Sequence, residues 1–82
     1  MKYLINNDHS EPMKITIEPW AEEISISAGS SLLLTILSDR EGLLETAIGP
    51  NTFTVWLWGG CRVKLAVNGE DQAVPSLLIP AP

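Results

Sequence analysis

The sequence predicts an all-β domain, a small antiparallel β-sandwich or squat barrel of about seven strands, with a jelly-roll-like outline among the shapes it allows. Three observations carry that reading. Apolar residues alternate with polar ones at a period of two, as at Met13, Ile15 and Ile17, which is the spacing of a strand with one buried face. Clusters of Gly, Pro, Asn and Ser separate these runs at short intervals. No segment has a convincing helical period, and no internal repeat, linker or low-complexity run interrupts the chain. With 82 residues, 45% of them hydrophobic and 18% charged, the chain reads as one folded domain over 1–82, near the lower size limit for a single core.

Taken in order, residues 2–6 form either a short edge strand or part of a flexible N-terminal segment over 1–12. Residues 13–18 are a strand with Met13, Ile15 and Ile17 inward, ended by Pro19 and Trp20. Residues 23–27 follow with Ile24 and Ile26 inward, and Ala28, Gly29 and Ser30 turn the chain. Residues 31–37 are apolar on both faces, which predicts a central strand covered on two sides. A short helix over 32–44 is the alternative, and Thr35, Ser38 and Gly42 oppose it. Residues 38–42 are a loop. Residues 43–48 are a strand with Leu44 and Ile48 toward the core, and Gly49, Pro50 and Asn51 turn. Asn68-Gly69 is a strong hairpin turn. A last strand runs near 73–79; Pro75 makes it an edge or delays its start. Short connections favour an antiparallel meander with some strands exchanged between two sheets.

The segment from Asn51 to Asn68 holds the most information. In an extended chain Phe53, Val55 and Leu57 share one face, and Thr54, Trp56 and Trp58 the other. Beyond the glycines, Val63, Leu65 and Val67 oppose Arg62, Lys64 and Ala66. A two-residue loop, Gly59-Gly60, would pair Trp56 with Val63 and send both tryptophans to the core. A three-residue loop, Gly59-Gly60-Cys61, would pair Leu57 with Val63 and Val55 with Leu65. The second register separates apolar from polar side chains more cleanly and is favoured, because a one-residue slip exchanges the faces of a whole strand. It places Arg62 opposite Trp58 and Lys64 opposite Trp56, where cation–π contact contributes about 0.5–1 kcal/mol. Burying a tryptophan removes about 150–250 Å² from water, roughly 4–6 kcal/mol as an upper figure. Two wet indoles therefore call for a cover. Three covers are open: another part of the chain such as the apolar tail, a second copy, or a ligand or partner.

Other functions are disfavoured. The formal net charge is −5, with five Lys and Arg in all, a poor balance for neutralising nucleic-acid phosphates or meeting an anionic membrane. No stretch approaches the roughly 20 apolar residues of a membrane helix, and the N-terminal residues lack the pattern of a signal peptide. One cysteine, Cys61, leaves no internal disulfide, and a reducing cytoplasm is the simplest compartment. One histidine, His9, is too few for cupredoxin, metal-cupin or Cys/His zinc ligation, so no metal and no cofactor is expected. Asp8-His9-Ser10 has the composition of a triad, but sequence neighbours cannot form that relay; it reads as a solvated loop. Glu18, Glu22 and Glu23 around Trp20 have the residue types of a glycosidase pair, and read more simply as a solvated loop with Trp20 anchored to the core. Cys61, at a hairpin tip beside Arg62, reads as a bystander thiol. Gly59 and Gly60 match no phosphate-binding pattern.

Glu18-Pro19-Trp20, then Ser27-Ala28-Gly29, then Trp58-Gly59-Gly60-Cys61-Arg62-Val63 closing in Asn68-Gly69-Glu70, resembles a group of short bacterial open reading frames over roughly residues 15 to 70. That resemblance implies a small β domain, cupin-like or sandwich-like, without the cupin metal ligands, and implies no activity. The functional expectation is a non-enzymatic binding or assembly domain, cytoplasmic and bacterial in character. It would work as a homo-oligomer or with a protein partner through Thr54, Trp56, Trp58, Arg62 and Lys64. A small-ligand module stacking a sugar on Trp56 and Trp58 is the alternative.

Overall fold

A computed structural model describes all of residues 1–82. Eight strands appear, β1 (Lys2–Asn6), β2 (Met13–Glu18), β3 (Glu22–Ile26), β4 (Ser31–Leu37), β5 (Glu45–Ile48), β6 (Thr52–Trp56), β7 (Arg62–Val67) and β8 (Glu70–Gln72), followed by one 3-10 turn, Pro75–Leu78. They make two four-stranded sheets. Sheet A has the order β1-β4-β7-β8 and sheet B the order β3-β2-β6-β5. No strand pairing joins the two, so the molecule is a sandwich and not a closed barrel.

The alternation that predicts the strands also decides which side faces in. Ile15, Ile17, Ile26 and Val55 from sheet B meet Leu32, Leu34, Val63 and Leu65 from sheet A, all at 3% exposure or less. Each such aliphatic side chain contributes about 1.5–3 kcal/mol when fully buried. Phe53, Val55, Leu57, Val63, Leu65 and Val67 do lie on inward faces, as the apolar pattern requires.

Their pairing is different. β6 pairs with β2 and β5 in sheet B, and β7 with β4 and β8 in sheet A. There is no β6–β7 hairpin; residues 57–61 carry the chain from one sheet to the other. Neither loop register applies. The apolar period fixes which face is buried, and the same period suits two strands lying side by side or stacked across a core. Cys61 is wholly buried inside this crossover instead of sitting at a hairpin tip. Gly60 turns it with a positive φ of 87°, which glycine adopts without steric cost.

The meander expectation needs a second correction. β2 and β6 run parallel, with Lys14 beside Thr52 and Glu18 beside Trp56, while every other pair is antiparallel. Strand exchange between sheets is present, but the parallel pair departs from an all-antiparallel jelly roll. β7 and β8 are joined as expected by Asn68-Gly69, both residues at positive φ (51° and 84°), the geometry of a type I′ turn.

Three further expectations shift. The strand at 43–48 begins only at Glu45, and Ile48 is 76% exposed instead of buried; β5 is an edge strand whose inward side opens on the flank of the sandwich beside Tyr3 and Phe53. The final strand is the short β8, and Pro75 instead opens the 3-10 turn, where its missing N–H costs nothing. Its Leu77 is fully buried. β1 is an edge strand, and the segment after it is tied down. Asn7, wholly buried, donates from Nδ2 to the carbonyls of Glu11, Ile26 and Ser27, and its Oδ1 accepts from the His9 amide.

Candidate functional site

Chain crossover decides where the tryptophans go. Trp56 closes β6 and stands on the outer face of sheet B, 40% exposed. Its strand neighbours on that face are Glu18 of β2 and Glu45 of β5. The next row is Glu23, Thr16, Thr54 and Ala47, and the next Ser25, Lys14 and Thr52. Lys14 and Glu23 form an ion pair at 3.8 Å.

Trp58 lies beyond the strand end and does not continue that face. It packs against the core cluster and over Gly42, where an added Cβ would sit 2.1 Å from the indole Cγ. Only glycine leaves room for the ring. Its Nε1 donates to Ser38 Oγ and to the Arg40 carbonyl, each at 3.2 Å. The loop at 38–42 therefore covers Trp58. Trp20 is held similarly, packed on the core with Nε1 donating to the Ile79 carbonyl at 2.9 Å. The tail is used there and beside the crossover, where Ala81 exchanges backbone hydrogen bonds with Gly60 and Cys61. Trp56 receives no such cover.

Arg62 and Lys64 belong to the other side of the molecule. They stand on the outer face of sheet A, Arg62 beside Leu37 and Lys64 beside Thr35. The expected Arg62–Trp58 and Lys64–Trp56 pairs do not exist, because β6 and β7 are in different sheets. Of the expected site residues, the fold keeps Thr54 and Trp56 together, sends Arg62 and Lys64 to the opposite face, and uses Trp58 internally.

The sheet A face was expected to be covered over β4. It is open. Leu4, Leu33 and Ala66 form one row, Lys2, Thr35 and Lys64 the next, and Leu37 with Arg62 the last. Leu4 is 56% and Leu37 41% exposed. Three of the five cations of the chain gather on this face, and none of them has an ion-pair partner within the chain. Sequence reasoning missed this grouping because it needs the β1-β4-β7 order. The signal available was the apolar run at 31–37, whose second face had to meet something.

No three His, Cys, Asp or Glu side chains are grouped to hold a metal ion. His9 is exposed, with its backbone N–H on Asn7. Glu22 accepts from the Ser76 hydroxyl. Glu18 keeps one shielded carboxylate oxygen without a hydrogen-bond donor. The chain has no helix long and apolar enough to cross a membrane.

Comparison with known proteins gives no neighbour. No family model matches the chain, and no curated protein or solved structure is significantly similar to it.

Proposed function

We propose that this chain is a non-enzymatic binding or assembly domain whose contact surface is the outer face of sheet B around Trp56. The observation that supports this most is the difference between Trp56 and its two counterparts. Trp20 and Trp58 each have an N–H acceptor and a covering segment, and Trp56 has neither. A large apolar ring held on a flat strand surface, rimmed by carboxylates and threonines, has the anatomy of a contact patch. Thr54 belongs to that patch. Arg62 and Lys64 contribute to a second one on sheet A. A reducing cytoplasm and a bacterial setting remain part of this reading.

Stacking of a sugar on paired indoles draws less support, because Trp58 is turned into the 38–42 loop and leaves a single ring on the face.

The test is Trp56→Ala. Unfolding of the dilute variant by urea should differ from the parent by less than about 1 kcal/mol, as for a surface position, while association measured by sedimentation velocity is lost. A stability loss of several kcal/mol in the dilute monomer would make Trp56 a structural residue and end this reading.

A further inference from the structure

We infer that the occupant of the Trp56 face is the sheet A face of a second copy, so that molecules stack head to tail; this rests on the reading of Trp56 as a contact residue. The two outer faces are complementary in charge. Sheet A presents Lys2, Lys64 and Arg62 against one acid, Asp71, and sheet B presents Glu18, Glu23 and Glu45 against one cation, Lys14. The ion pairs within the chain are Lys14–Glu23 and Arg40–Asp39. Lys2, Lys64, Glu18 and Glu45 are therefore unmatched within one molecule.

They are also matched in position. Glu18, Trp56 and Glu45 occupy one row across three adjacent strands. Lys2, Thr35 and Lys64 occupy one row across three adjacent strands of the other sheet. Neighbouring strands are about 4.8 Å apart, so the outer members of both rows are separated by roughly 9–10 Å. Laying one row on the other brings each carboxylate to an ammonium and seats the Trp56 indole over Thr35. Leu33 and Leu37, two positions either side of Thr35 on the same face, flank the ring. Thr35 is smaller than the two leucines, which offer the ring apolar surface on either side. The open second face of β4 is thereby covered, as its composition demands.

Because the two contact patches differ, the contact is heterologous. A stacked pair keeps one free patch of each kind, one on each copy, so the assembly grows or closes as a ring, never stopping at a symmetric dimer. The faces are small, which places the contact among weak ones.

Sedimentation velocity of the full chain, from micromolar to millimolar concentration, tests this with two double variants. Lys2→Glu with Lys64→Glu removes the basic patch, and Trp56→Ala with Glu45→Ala removes the other. All four positions are on outer faces, and circular dichroism confirms folding of each variant before use. The parent should gain mass beyond a dimer without a dimer plateau. Each variant alone should stay monomeric, and an equimolar mixture should reach the heterodimer mass and stop there. Two results overturn the stacking alone: a parent that remains monomeric throughout, or a Lys2→Glu/Lys64→Glu variant that associates like the parent while the Trp56 variant does not, since Trp56 then meets its own counterpart. Association of the Trp56→Ala/Glu45→Ala variant equal to the parent's overturns both the stacking and the contact role of Trp56.

Discussion

Trp56 ends a strand and shows two-fifths of its surface to solvent, while Trp58, two residues on, lies over Gly42 with its N–H shared between Ser38 and Arg40. Identical residue types on what alternation calls the same face have separate fates. The difference is whether the strand continues. As far as Trp56 the backbone pairs with β2 and β5 and holds the side chain perpendicular to sheet B. After Leu57, whose amide still bonds to the Glu18 carbonyl, the chain leaves for sheet A and the alternation rule lapses. One tryptophan is thus fixed by a sheet and left bare, and the other is fixed by a loop and enclosed.

Substitutions separate the two roles, and the largest effect is expected at Trp58. Trp58→Ala should cost about 3 kcal/mol, the low end for a large aromatic because the ring is only partly buried, seen as a lower urea midpoint. Gly42→Ala attacks the same contact from beneath. The new methyl has no room unless the ring moves, so a loss of about 1–3 kcal/mol is expected, and the change should not be additive with Trp58→Ala. Trp58→Phe keeps a ring and deletes the N–H, leaving the Ser38 and Arg40 acceptors to water; about 1 kcal/mol is expected. On the other side of the comparison, Trp56→Ala should leave the midpoint within about 1 kcal/mol of the parent and act on association. An equal loss of stability at 56 and 58 would break the distinction. Salt sharpens it further. Raising ionic strength from about 0.01 M to about 1 M shortens the screening length from about 30 Å to about 3 Å, which should weaken association in sedimentation without shifting the Trp58-dependent unfolding midpoint.

How much of this was legible in sequence follows the same line. Inward positions at 13, 15, 17, 26, 55, 63 and 65 were readable because burial imposes a period of two on each strand separately. Asn68-Gly69 was readable because a type I′ turn asks for those residues at those positions. Neighbour relations were not. Val55 beside Leu65 in one sheet and Val55 facing sheet A across a core make equal demands on the local pattern, so the Trp56–Lys64 pairing carried no local signal against it. Pro75 signalled a broken strand and did not signal a 3-10 turn. Asn7 looked like a loop residue, yet it is the buried polar tie between the first crossover and the end of β3, because its partners are backbone carbonyls brought near only by the fold. Of the candidate site, the exposed indole was readable, and the charge rows on opposite faces were not.

The route of the chain between the sheets has a consequence for how the protein is made. The chain begins in sheet A, enters B for β2 and β3, returns for β4, goes back for β5 and β6, and ends in A. Neither sheet is a contiguous stretch of polypeptide. The central pairing of sheet B waits for β6 to reach β2, and that of sheet A for β7 to reach β4. A nascent chain cut anywhere before residue 67 lacks part of a central strand, and the shortest fragment that holds all of sheet B, residues 13–56, also carries β4 of sheet A without its partners β1 and β7. Loop closure must be met before these distant pairings return any stabilisation, which sets folding on the slow, millisecond-to-second scale of non-local β topologies and makes gain or loss of structure a single event for both sheets.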